Sequence, residues 1–465
     1  MSRTARSSRR RRRRPFRRFI LCLLAVAMVA AAAKWMPGMH APSQPDQPAL
    51  AQQGDTAAMK LTGPVEGTAL LTQAWIYGTH LGLEGALPQM AVVPQGLQLV
   101  LRTAAGEETA WPLQMTQTSE GVSFTLSEQI NGGLELETLA EGGGCLLVQA
   151  QGETAVQYYL LQAAESVVGD LPFAYYTVTR PEGNRLIQLQ QASVKHDGAE
   201  TDGLLLQCAA AALPENVYDV VIDAGHGGTD AGSVSGGVHE ADVVLDIALR
   251  TRKQLQALGL KVCMTRDGTE DPNTMMAYTM YDEDGRVNVI GGSGAKLCLS
   301  LHLNSYDGAL AQGGVQVYAA AHMDYSFAAR LAATLAQQVG SVLSPMDAYR
   351  VGDGVYCRTF TQADVDELAA EGEARGFEPY RQPVGTNYYY IIRETGGRVT
   401  GAYIDGRHPH YGENRYRDSA VGVETYLCEL GYLTSDADLQ RLLNAPDSYA
   451  AGLAAAVAQR FGLSA

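Results

Sequence analysis

The hydrophobic pattern changes period near Pro214, and this change limits the chain to more than one architecture. Between residues 60 and 213 short apolar runs alternate with polar residues, as at residues 97–102, 122–126, 134–139, 145–149 and 156–161, separated by Gly, Asn and acidic turn residues. Period-two runs at this spacing predict an antiparallel, sandwich-like all-β domain. Beyond Pro214 the pattern becomes strand, helix, strand. Residues 218–223, 261–265, 297–303, 314–319, 388–392 and 425–433 read as buried strands; residues 240–258, 326–342 and 439–461 carry helical periodicity. That alternation predicts an α/β domain, a mostly parallel sheet with helices on both faces, over residues 214–465. At 465 residues the chain is long enough for both.

The first 59 residues belong to neither pattern. Residues 9–14 and 17–18 are all Arg and run into an apolar stretch, residues 19–33, closed by Lys34 and Trp35. A cationic block before an apolar run predicts an N-terminal membrane or signal helix within residues 1–36, kept as an anchor or cleaved. Residues 37–59, rich in Pro, Gln and Ala, read as a tether. The remainder of the chain is then expected outside the cytoplasmic membrane. Beyond residue 34 there are 24 Lys and Arg against 50 Asp and Glu. A body that acidic is unsuited to nucleic acid, whose binding rewards phosphate neutralisation. The six cysteines after Cys22 form no CxxC pair, so neither a disulfide framework nor a thiolate metal site is indicated.

Four residues concentrate the chemistry: His226, Glu240, His302 and Glu429. His226 follows a buried strand within Ala224-Gly225-His226-Gly227-Gly228. His302 ends Leu299-Ser300-Leu301-His302, Glu429 lies in Tyr426-Leu427-Cys428-Glu429-Leu430-Gly431, and Glu240 opens the first long helix. Open α/β sheets build their sites outside the carboxyl ends of strands, so the four can converge. Two imidazoles and a carboxylate make a three-ligand zinc set with an open fourth position. Glu429 is left as general acid/base. Singly, each has an ordinary structural explanation, except that a Glu inside an apolar strand is costly to bury without partners. His408 and His410, separated by Pro409, read as a loop pair. His239 is expected to point away from Glu240, and Asp282-Glu283-Asp284-Gly285 reads as a solvated turn.

These segments resemble the zinc-dependent N-acetylmuramoyl-L-alanine amidases of the Amidase_3 type. The likeness rests on Val220-Val221-Ile222-Asp223-Ala224-Gly225-His226-Gly227-Gly228, Gly236-Gly237-Val238-His239-Glu240, Ser300-Leu301-His302-Leu303-Asn304 and Glu429-Leu430-Gly431-Tyr432-Leu433-Thr434-Ser435, with Thr265, Arg266 and Arg286 in the expected places. It covers residues 217–461. The resemblance implies zinc held by His226, Glu240 and His302, with Glu429 as acid/base. It also implies peptidoglycan as substrate, cut between the lactyl group of N-acetylmuramic acid and L-alanine. A silent wall-binding scaffold, or another exported zinc hydrolase such as a peptidase or deacetylase, are the alternatives. Two departures stand out. Ile290-Gly291 replaces the family's usual Ala-Asn, and the stretch from His302 to Glu429 is long, with segments 344–386 and 396–422 expected to line, cover or decorate the site. Those segments or the 60–213 domain are where a protein activator would bind; the ligand of that domain is not legible.

Overall fold

The structure is a computed structural model that describes residues 58–87, 93–119, 121–274, 276, 279–306, 313–376, 383–402 and 414–463. The basic head, the apolar run, nearly all of the tether and the His408–His410 pair lie outside the described residues. No helix among the described residues is long and apolar enough to cross a membrane.

The expected fold class needs correcting in both halves. The N-terminal strands form a closed barrel, not a sandwich. They are β1 (Gly67–Tyr77), β2 (His80–Leu87), β3 (Gly96–Arg102), β4 (Glu108–Thr118), β5 (Gly121–Thr125), β6 (Gly142–Gln151) and β7 (Val156–Ala163). They pair in the ring β1-β2-β5-β4-β3-β6-β7, which closes where β7 runs parallel to β1, Gly67 opposite Tyr159. A period-two pattern reports one buried face and not whether the sheet curls shut. Curling depends on glycines and bulges. A Cβ on Gly82 would overlap the Trp75 ring, one on Gly85 the Phe124 ring, and β1 has a register shift between Leu71 and Gln73. The barrel is filled by side chains such as Leu71, Leu83, Leu99, Leu146 and Leu161. A long hairpin, β8 (Arg185–His196) with β9 (Ala199–Ala210), extends the same sheet from β6.

The second sheet is mixed, with antiparallel pairs on one side of a parallel group. Its strands are β10 (Val220–Ala224), β11 (Val262–Met264), β12 (Leu297–Asn304), β13 (Gln316–Tyr318), β14 (Arg350–Gly352), β15 (Val355–Tyr356) and β17 (Glu424–Tyr432), in the order β11-β10-β12-β17-β13-β15-β14. The first four are parallel; β13 runs antiparallel to β17, and β14 antiparallel to β15. Nor does the chain divide cleanly into an all-β part followed by an α/β part. The short strand β16 (Val421–Gly422), from the C-terminal half, joins the barrel sheet beside Ile76 and Tyr77. Tyr77, fully buried, packs in the core of the C-terminal half, while Ala420 packs in the core of the barrel.

Helix α1 (Glu240–Ala257) buries Ala241, Val244, Ile247, Ala248, Thr251 and Leu255, the i, i+3, i+4 stripe of an amphipathic helix, and carries Glu240 and Asp242 in its first turn. The others used below are α2 (Arg286–Gly292), α3 (Ser326–Val339), α4 (Gln362–Arg375), α5 (Tyr390–Thr395), α6 (Asp436–Asn444) and α7 (Pro446–Arg460). The run read as one helix over 439–461 is two, because Pro446 cannot continue α6 and instead opens α7.

Candidate active site

The turn after β10 is strained and heavily braced. All five residues of β10 are buried, and the chain then bends sharply so that His226 adopts φ +60°. That conformation is costly for a side chain with a Cβ and persists only when its surroundings enforce it. Two arginines do so. Arg266 donates from Nε to Ala224 O (2.8 Å) and from Nη2 to Gly225 O (2.9 Å) and Ala241 O (2.8 Å). Arg286 donates from Nη2 to His226 O (2.8 Å) and faces Asp223 at 3.4 Å. Asp223, fully buried, also accepts from Thr265 Oγ1 and Ser300 Oγ, both at 2.6 Å. Burial pushes its carboxyl up, but the Arg286 charge and these two donors hold it below the usual range. Gly225 is required because a Cβ there would overlap the His302 imidazole.

Three of the four singled-out residues meet at one point. His226 Nε2 lies 3.2 Å from Glu240 Oε1, His302 Nδ1 lies 3.2 Å from the same oxygen, and the two imidazole nitrogens are 3.2 Å apart. The orientation of each is fixed from behind. Asp230 Oδ2 sits 2.9 Å from His226 Nδ1, which leaves Nε2 to face the centre. Glu240 accepts from Leu303 N on Oε1 and from Ser233 N on Oε2, both at 2.8 Å. The Glu240 side chain is 3% exposed and the imidazoles 16% and 18%, so the triangle is open on the histidine side.

This donor set could hold a metal ion. Bonds of about 2.0–2.1 Å at tetrahedral angles put neighbouring ligand atoms roughly 3.3–3.4 Å apart, close to the observed spacing. The three groups also shift one another's protonation. Burial would strip a proton from His226, yet its bonds to Asp230 and Glu240 push it up to about 10. Burial raises Glu240, but hydrogen bonds from His226 and His302 bring it below its ordinary value.

Glu429 stands beside this group. Parallel pairing sets it directly opposite His302, so both side chains leave the same face of the sheet. Its Oε2 is buried and has no hydrogen-bond partner among the described residues. Burial first, then the Glu240 charge, push its carboxyl up to about 8, against the opposing pull of His226. Tyr318 and Tyr389, whose rings are 4.8 Å apart, complete this side, and the Glu429 charge is among the causes that raise both phenols.

Asp230, Ser233, Tyr318 and Tyr389 were not singled out from the sequence. Asp230 was the most accessible of these, lying four residues after His226 in the same glycine-rich turn. The other weighed residues stay apart: His239 is half exposed and faces Asp242 at 3.6 Å, and Asp282 and Gly285 close a backbone turn.

Residues 220–364 match the N-acetylmuramoyl-L-alanine amidase family, Amidase_3. The chain carries a domain of this family. The matched span includes His226, Glu240 and His302 and ends before Glu429. Among individual relatives, a germination-specific N-acetylmuramoyl-L-alanine amidase of Bacillus subtilis (strain 168) is 39% identical over 98 residues, 20% of this chain and 41% of the relative. The N-acetylmuramoyl-L-alanine amidase LytC of the same organism is 32% identical over 120 residues, 26% of this chain and 21% of the relative. The chain thus spans less than half the length of either. The solved catalytic domain of CwlV, an N-acetylmuramoyl-L-alanine amidase from Bacillus (Paenibacillus) polymyxa var. colistinus, is 20% identical. That alignment covers 53% of this chain and all of the other, with a TM-score of 0.34.

Within the amidase domain, the departure at Ile290-Gly291 has a packing explanation. A Cβ on Gly291 or Gly292 would strike the ring of Tyr416, which arrives from the long segment before β17. Nearby, Arg415 N donates to Asn288 Oδ1 (2.9 Å) and Asn414 Nδ2 to Glu394 O (2.9 Å). The described end of that segment is therefore fastened onto α2 and α5.

Proposed function

We propose that the protein is a zinc-dependent N-acetylmuramoyl-L-alanine amidase acting on peptidoglycan outside the cytoplasmic membrane. The observation that carries this reading is the triangle of His226, Glu240 and His302 donors beside an unpartnered carboxyl, inside a domain of the amidase family. Residues 1–36 would hold the protein at the membrane or be removed on export.

His226 Nε2, His302 Nδ1 and Glu240 Oε1 would hold the ion. Zinc supplies Lewis acidity to the attacking water and to the amide carbonyl when bound. The Glu429 carboxylate takes a proton from the attacking water as its oxygen bonds to the lactyl carbonyl carbon. The same carboxyl then returns that proton to the L-alanine nitrogen as the C–N bond breaks. Asp230 keeps the His226 ring turned inward, and Leu303 N and Ser233 N keep Glu240 from rotating away.

Purified protein is expected to release intact stem peptides from peptidoglycan, leaving intact glycan, as read by mass spectrometry. Chelation should stop the release and zinc restore it. Cleavage within the peptide or loss of acetate would instead indicate a peptidase or a deacetylase. Zinc binding without turnover on any muropeptide would indicate a silent scaffold. Asp230→Asn is expected to weaken zinc affinity about 10- to 100-fold, as loss of a partner behind a ligating histidine does. Competition against a chromogenic chelator measures this; unchanged affinity would remove Asp230 from the site.

A further inference from the structure

Glu429 lies five residues along β17 from Glu424, and that first residue of the strand is built into the seam with the barrel. Glu424, 2% exposed, opens the strand. Its Oε1 accepts from Asn131 Nδ2 (3.3 Å) and from the Tyr426 hydroxyl, and its Oε2 lies 3.5 Å from Arg460 Nη2. Asn131, between β5 and β6, also grips the residues before α3: Nδ2 donates to Asp324 O (3.1 Å) and Oδ1 accepts from Asp324 N (2.7 Å). Arg460, at the end of α7, donates to Thr79 Oγ1 (2.7 Å) and faces Glu135 at 3.6 Å. The barrel leaves room for this clamp at Gly78, where a Cβ would run into the Glu424 carboxyl. Just upstream, β16 is zipped onto β1. A polar cavity of about 290 Å³, lined by His80, Asn131, Glu135, Asp324, Glu424 and Arg460, lies along this seam. Directed charges and hydrogen bonds hold the strand's root there, beside the apolar packing of Tyr77 and Ala420.

The three donors are held differently. His226 is fixed by Asp230, Glu240 by Ser233 and Leu303, and the His226 turn by Arg266 and Arg286, all from the C-terminal half. Among the described residues, β17 is the site strand joined to the barrel through Asn131, Glu424 and Arg460; the roots of β10 and β12 touch the N-terminal half through Asp219, which accepts from Thr179 N, and Lys296, which lies over the Tyr175 ring. A misplacement of about 1 Å is enough to cost a reaction roughly a hundredfold.

We propose that the barrel is a positioning part of the active site: through Asn131, Glu424 and Arg460 it fixes β17, and so the distance of the Glu429 carboxyl from the His226–Glu240–His302 group. Its catalytic consequence rests on the amidase reading above; its mechanical content does not.

The test uses the whole protein carrying Asn131→Ala, Arg460→Gln or the conservative Arg460→Lys. Measured for each are kcat and KM on a disaccharide–stem-peptide muropeptide, zinc bound per chain, and hydrogen exchange over Glu424–Tyr432 and Val220–Ala224. Asn131→Ala and Arg460→Gln should lose about tenfold or more in kcat. KM and zinc content should hold, and exchange should quicken over Glu424–Tyr432 but not over Val220–Ala224. Arg460→Lys, which keeps the charge, should recover most of the loss. Unchanged kcat and exchange, or exchange rising equally in both segments with loss of zinc, would overturn the proposal. If the unaltered protein turns over no muropeptide, the amidase reading fails. The exchange comparison still decides the seam: selective loosening of Glu424–Tyr432 supports it, and uniform or absent loosening overturns it.

Discussion

Glu429→Gln is expected to abolish turnover and yet to stabilise the metal-free protein at pH 8. Loss of a positioned general base costs about 10²- to 10⁴-fold in rate. The stability effect has the opposite sign because the carboxyl is unpartnered. Its ordinary value is near 4.5 and the fold pushes it up to about 8, so the native protein keeps a proton that the unfolded chain releases. Folding must then recapture that proton, and stability falls as pH rises from about 4.5 to about 8, with no further loss above. Glutamine fills the same space without this penalty. At about 1.4 kcal/mol per pKa unit, and discounting for water reaching a half-open site, the variant should gain on the order of 2 kcal/mol at pH 8 and little at pH 5. Thermal unfolding with chelator present at the two pH values measures this. Parallel pH dependences for the two proteins would show that Glu429 is not the strained group.

The largest loss of stability is expected at Arg286. Replacing it with Met leaves Asp223 buried without its cation and removes the donor to His226 O. Breaking a buried pair from one side costs about 3–5 kcal/mol, since the remaining charge stays desolvated. The melting temperature should fall by at least about 5 °C, and zinc affinity should fall with it because the His226 turn loses its brace. Arg286→Lys should lie between, keeping charge but not the forked geometry. Adding Asp223→Asn to Arg286→Met should recover part of the loss, and the double-mutant cycle quantifies the coupling. Additive losses would mean that the pair is not the brace.

The site was legible in the sequence to the extent that it lies at the ends of apolar strands. His226, His302 and Glu429 are polar residues at or near the ends of runs that could only be buried, and Glu240 opens a helix with a clear apolar stripe. Asp230 was not legible because a Gly-rich turn displays no period; its role depends on the positive φ of His226, which folds the turn back. Tyr389 was missed for a related reason. Residues 388–392 read as a strand, since a short apolar run carries no period that separates strand from helix. In fact the helix α5 begins within it, at Tyr390, and Tyr389 caps it. Barrel closure was hidden because it depends on which glycines permit coiling. The two residues of β16 carry no strand pattern of their own, and they join the barrel only because Ile76 and Tyr77 offer them a ladder.

The seam between barrel and amidase domain also sets an order of assembly. Thr79 and Arg460, which touch across it, are 381 positions apart, and Tyr77 and Thr425 are 348 apart. Contacts so distant form late, because the loop they close must be ordered before they contribute anything. A chain made from its N-terminus can complete its barrel early, but the root of β17 lacks its contact with Arg460 until α7 has formed. On the amidase reading proposed above, hydrolytic competence would therefore be the last property acquired.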